Sequence, residues 1–134
     1  MKILIVDDSF VSRKLLKVIL SPFGVCDIAS DGNEASEAVE LSYKENTPYD
    51  LICLDVMMPE VDGHEALKII RQYEEEIGID IAHGIKVIMI TAMDDEGSIF
   101  QAFRSGCEMY ILKPIEAAKV LEAIKELGLP VEES

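Results

Sequence analysis

Basic residues are scarce in this sequence: 12 lysines and arginines stand against 26 aspartates and glutamates, a formal charge of −14. A surface of that sign repels a phosphate backbone or an anionic bilayer, so direct nucleic-acid binding and membrane attachment are not expected. The three cysteines, Cys26, Cys53 and Cys107, lack any C-x-x-C spacing, which argues against a metal knuckle or a disulfide framework. Each lies in or beside an apolar segment, as buried thiols of a reducing cytoplasm do. No apolar run approaches the length of a membrane span. The opening MKILIVDD has one lysine and a four-residue apolar run ending in two acids, which is not a signal peptide. A cytoplasmic protein is expected. Repeats, linkers and low-complexity segments are also missing, and His64 and His83 stand apart without partners at ligand spacing, so both read as surface residues.

What is present is a hydrophobic content of 49% over 134 residues, enough for the core of one domain. Five short runs, ILIV (3–6), VCDIA (25–29), LICL (51–54), VIMI (87–90) and MYIL (109–112), are rich in Ile, Val and Leu. Most lack alternation, as strands of a parallel sheet covered on both faces do. Helical patterns separate them. Val11, Leu15, Val18 and Ile19 repeat at the helical interval before Pro22 and Gly24, and Ala35, Ala38, Val39 and Leu41 follow Asp31-Gly32. Asp62 and Glu65 have capping-box spacing ahead of Ala66, Leu67, Ile69 and Ile70. A fourth helix is predicted from about Asp95 to Ser105 with Gly106 as its stop. The fifth carries Ala117, Val120, Leu121, Ile124 and Leu127. This alternation predicts a doubly wound α/β domain over 1–127 and a short, frayed polar tail over 128–134. Glu74 to Glu76 read as a solvated helix end, Met57 and Met58 as packing residues, and IGIDIAHG (77–84) has no legible purpose.

Ligands of open parallel sheets sit at the carboxyl ends of the strands, near the point where strand order reverses. Strand one ends in Asp7 and Asp8, strand three in Asp55, strand four in Thr91, and strand five in Lys113-Pro114. In the order 2-1-3-4-5 those four ends are contiguous, and the bland Ala29-Ser30 falls at the edge. Three carboxylates in one crevice repel, at about 3 kcal/mol per pair for a separation of about 5 Å and an effective dielectric of about 20. Such a site protonates or takes a cation, and oxygen-only ligands favour Mg²⁺. Carboxylates, a hard ion, a hydroxyl and a lysine suit phosphoryl transfer. Asp55 is then the nucleophile, Asp7 and Asp8 hold the metal, and Lys113 and Thr91 receive the phosphoryl oxygens.

Together, ILIVDDS, YDLICLDVMMPEVDGHEAL, VIMITA and YILKP resemble the receiver domain of two-component response regulators, and a single-domain relative of the chemotaxis regulator is the nearest shape. The resemblance implies a flavodoxin-like fold with five helices and Asp55 phosphorylated by a histidine kinase or histidine phosphotransfer protein. It also implies Mg²⁺ bound by Asp8, Asp55 and the Met57 backbone carbonyl with Asp7 assisting. Thr91 and Tyr110 become switch residues that remodel the face of helix four, strand five and helix five, where a downstream protein target binds. A cis Lys113-Pro114 bond is expected on the same ground. Such a protein is a phosphoacceptor, not an enzyme acting on a separate substrate, although it catalyses its own phosphorylation and dephosphorylation. Met57 and Met93 lie where relatives flank the path of the hydrolytic water, and neither can orient water, so self-dephosphorylation is expected to be slow to moderate. This chain departs from many relatives at Glu108-Met109 and Ile115, and helix five lacks the arginine used in ion-paired dimers of one DNA-binding subclass.

Two rival readings remain. A phosphatase of the haloacid dehalogenase type also forms an aspartyl phosphate, but its D-x-D motif at strand one is absent, since Asp7 is followed by Asp8 and Ser9. A binding scaffold that never takes phosphate is the other. A flavin carrier on the same fold is disfavoured because DDSFVS has no glycine for a phosphate loop.

Overall fold

The computed structural model describes residues 1–130, and residues 131–134 of the expected polar tail lie outside the described residues. Five strands alternate with five helices: β1 (Lys2–Val6), α1 (Phe10–Leu20), β2 (Val25–Ala29), α2 (Gly32–Lys44), β3 (Leu51–Leu54), α3 (Gly63–Glu76), β4 (Lys86–Thr91), α4 (Glu96–Ser105), β5 (Met109–Leu112) and α5 (Ala117–Glu126). The strands form one parallel sheet in the order β2-β1-β3-β4-β5. This is the predicted order.

Side chains alternate across a strand, so a sheet buried on both sides needs two separate cores. Leu4, Val6, Ile52, Leu54, Val87 and Met89 face Ala35 and Val39 of α2, Leu67 and Ile70 of α3, and Ala102 of α4. Ile3, Ile5, Leu51, Cys53, Ile88 and Ile90 face Leu16 and Leu20 of α1 and Val120, Ala123 and Ile124 of α5. Asp31, Asp62 and Asp95 cap their helices by accepting from the backbone N–H three residues on, as the sequence predicts for Asp62. Gly106 closes α4 at φ 107°, a left-handed position that favours glycine. The Lys113-Pro114 bond is cis.

Several side chains lie elsewhere than the sequence suggests. Val11 and Val18 are exposed, and α1 packs instead through the Leu16 and Leu20 pair, because its apolar set is wider than the strip that touches the sheet. His64 is buried, not on the surface, whereas His83 is exposed. Glu74 is buried as well. It follows Ile70 by four residues and Leu67 by seven, which puts it on the core stripe of α3. Its carboxylate binds Arg71 Nη1 at 2.6 Å, accepts from the Ile85 N–H at 2.8 Å, and takes the Tyr43 hydroxyl. Arg71 continues to the Gly106 carbonyl at 2.8 Å and to Glu108. Segment 77–84 therefore has a role: a short 3₁₀ turn at Ile81–His83, capped by Asp80, spans the gap that Glu74 ties down at Ile85. Met58 packs as expected, but Met57 is 56% exposed. Cys53 and Cys107 are buried, which pushes both thiols up to about 12, and Cys26 is half-buried. Leu129, in the segment expected to fray, packs against the α5 side of the core.

Candidate functional site

β1 and β3 are neighbours in register, so their ends fall side by side. Past them the chain still pairs as a strand would: the Asp7 N–H donates to the Ala29 carbonyl at 3.2 Å and the Asp55 N–H to the Val6 carbonyl at 3.0 Å. This fixes both backbones where their side chains leave the sheet. Oxygens of Asp7, Asp8 and Asp55 lie within 4.8 Å of one another. Asp7 and Asp55 are buried, and Asp8 is exposed.

Each buried carboxylate is held by its own turn. Asp7 Oδ1 accepts from the Ser9 N–H at 2.9 Å, and Asp55 Oδ1 accepts from the Met57 N–H at 3.2 Å. Their other oxygens share one cation: Lys113 Nζ donates to Asp7 Oδ2 at 2.8 Å and to Asp55 Oδ2 at 3.0 Å. Burial raises Asp7 above the usual carboxylate range, and the Lys113 bond opposes that only in part. For Lys113 itself, burial alone would lower the ammonium, but its bonds to Asp7 and Asp55 outweigh it and hold it above the ordinary lysine value. One ammonium against three carboxylates leaves the crevice net negative. An all-oxygen donor set with uncompensated charge fits a small hard cation such as Mg²⁺.

Thr91 ends β4 fully buried, its carbonyl taking the Lys113 N–H at 2.8 Å and its hydroxyl the Met93 N–H at 3.3 Å. Met57 and Met93 flank a shallow crevice of about 500 Å³ that also reaches Asp8 and Asp62. Tyr110 stands one strand further along, its hydroxyl on the Met93 carbonyl at 2.7 Å. The structure thus brings Asp7, Asp8, Asp55 and Lys113 into one cluster, with Thr91 beside it and Tyr110 behind it.

Sequence reasoning missed four contributors. Arg13 Nη1 donates to the Asp7 carbonyl at 2.9 Å from the first turns of α1. Gly63 approaches the β3 end so closely that an added Cβ would lie 2.1 Å from the Asp55 carbonyl oxygen, and its N–H donates to Val56 at 2.9 Å. The Asp-Gly pair at 62–63 signalled a helix start, and nothing in it announced that contact. His64 and Ser98 complete a hydrogen-bonded chain behind Tyr110.

The family model described as the response regulator receiver domain matches residues 3–125. The chain is 37% identical over 125 residues to the chemotaxis protein CheY of Bacillus subtilis, covering 93% of this chain and 95% of that protein. CheY of Thermotoga maritima is 32% identical over 127 residues, covering 95% and 97%. Among solved structures, the CheX-CheY-BeF₃-Mg²⁺ complex from Borrelia burgdorferi matches with TM-score 0.82 and 30% identity, over 97% of this chain and 90% of that one. The receiver domain of an Arabidopsis thaliana histidine kinase, complexed with Mg²⁺ and BeF₃⁻, matches with TM-score 0.76 and 26% identity, over 95% and 89%. With its sheet order, its strand-end acids and lysine, and these matches along nearly its whole length, the chain belongs to the response regulator receiver domain family.

Proposed function

We propose that this chain is a phosphoacceptor switch in which Asp55 takes a phosphoryl group from a histidine kinase or histidine phosphotransfer protein. The observation that carries the reading is the Lys113 ammonium bridging Asp7 and Asp55 within a cluster of three carboxylates. An Asp55 oxygen forms the new O–P bond as the donor's N–P bond breaks, and the electron pair of that bond leaves with the imidazole nitrogen. Lys113 orients the carboxylate beforehand and then offsets charge on the arriving phosphoryl oxygens, while the Thr91 hydroxyl is the neutral donor on the neighbouring strand. Asp7, Asp8, Asp55 and the Met57 carbonyl would hold Mg²⁺. When bound, that ion supplies charge neutralisation between the carboxylates and the phosphoryl oxygens.

A small acyl phosphate can serve as donor in place of the partner protein, because the transferring machinery lies on this chain. The donor protein meets the α1 side. There Phe10, Val11 and Val18 are exposed, Arg13, Lys14 and Lys17 border the same groove, and α1 has no acidic residue, a basic island on an acidic protein. The output face is α4–β5–α5, where Phe100, Phe103 and Leu112 are exposed large apolar residues. Its occupant is a downstream protein.

Intact mass after incubation with a small acyl phosphate and Mg²⁺ tests the central claim. The wild type is expected to gain one phosphoryl group that hydroxylamine removes, and Asp55→Asn to gain none. A wild type that stays unlabelled under every donor and metal condition overturns it and leaves a binding scaffold.

A further inference from the structure

Outside the acidic crevice, four polar groups form one chain between α3 and β5. His64 Nε2 lies 2.9 Å from Ser98 Oγ, Ser98 Oγ lies 3.1 Å from the Tyr110 hydroxyl, and that hydroxyl donates to the Met93 carbonyl at 2.7 Å. Counting protons fixes the direction of every link. A carbonyl oxygen only accepts, so the single phenolic proton of Tyr110 is committed to Met93. Tyr110 can then only accept from Ser98, which commits the serine proton. Ser98 in turn accepts, so His64 donates from Nε2.

A neutral imidazole carries one proton, and its Nδ1 is left as a bare lone pair. That atom is the one buried side-chain polar atom without a hydrogen-bond partner among the described residues. Burial also lowers the His64 pKa, which keeps the ring neutral. His64 is 7% exposed and Ser98 5%, so neither can replace a lost partner with bulk water. Turning the Tyr110 ring outward would strip the Met93 carbonyl of its donor and the Ser98 proton of its acceptor together.

We infer that His64 and Ser98 are positioning residues that hold Tyr110 turned inward, biasing the α4–β5–α5 face toward its target-binding form. The inference rests on the reading of Tyr110 as a switch. A relay of three side chains ending on a carbonyl has one sense only, so it acts as a latch on the ring.

NMR of the full chain labelled with ¹³C in the tyrosine rings tests it, with the Tyr110 signal among the four tyrosines assigned by Tyr110→Phe. In the unmodified protein, Ser98→Ala is expected to raise the outward population of Tyr110 about fivefold, the factor by which one ordinary hydrogen bond shifts an equilibrium. BeF₃⁻ with Mg²⁺ should draw it back. A Tyr110 signal at the wild-type position in Ser98→Ala overturns the latch. On the unmutated protein, long-range ¹H–¹⁵N correlations should report the Nε2–H tautomer of His64, and an Nδ1–H tautomer overturns the chain. Acyl phosphate labelling runs in parallel. No label on Asp55, with Tyr110 still displaced in Ser98→Ala, supports the latch and removes only the phosphoacceptor reading.

Discussion

Asp7 holds a charge that its burial disfavours, and this has a sign that can be measured. The folded state raises its pKa, so over the window above the ordinary value of 3.8 the native protein binds more protons than the unfolded chain. Ionised Asp7 is therefore a liability above its folded pKa, and the liability fades as pH falls through that value. In metal-free protein, Asp7→Asn is expected to melt above the wild type at neutral pH, with the gap closing toward pH 4, as thermal unfolding across pH would report. At the same scale, Met57→Asn and Met93→Glu place polar groups at the crevice beside Asp8. Each should change the phosphoryl lifetime on Asp55, measured by the decay of labelled protein after donor removal. Asp7, Asp8, Asp55, Thr91 and Lys113 were legible in the sequence because a polar residue ending an apolar run stands out. His64 and Ser98 were not, since their roles arise from contact across 34 residues between the ends of two helices.

Elements carry the next set of consequences. The sheet order could be read because five apolar runs alternated with five helical patterns and the reactive strand ends had to be neighbours. The facing of α1 could not, because Val11, Leu15, Val18 and Ile19 fit a helical stripe as well as Leu16 and Leu20 do. The outward Val11, Leu15 and Val18, with Lys14 and Lys17, predict a functional split. Lys14→Glu with Lys17→Glu should slow phosphotransfer from the protein donor about tenfold, through lost electrostatic steering. Labelling by a small acyl phosphate should stay at the wild-type rate, so equal slowing of both would count against α1 as the donor side. On the opposite face of the sheet, Glu74 joins α2, α3 and the approach to β4. Glu74→Ala leaves Arg71 without its buried partner and should cost about 3 kcal/mol in chemical denaturation. The core stripe of α3 made that position visible, but run-based reading of three consecutive glutamates hid it.

For the molecule as a whole, a formal charge of −14 and three clustered acids link ion binding to stability. A cation that binds only the folded state stabilises it by about 1.4 kcal/mol at roughly ten times its Kd. Mg²⁺ is therefore expected to raise the melting temperature of the wild type, and the Asp8→Asn protein should respond far less. Lys113 and Asp7, whose side chains meet at 2.8 Å, are 106 residues apart in the chain. During synthesis, Asp55 leaves the ribosome long before the ammonium that orients it. In the proposed switch, an unfinished chain thus displays its acceptor carboxylate without the group that readies it, and a donor encountering a nascent chain finds no competent site until β5 has been added to the sheet.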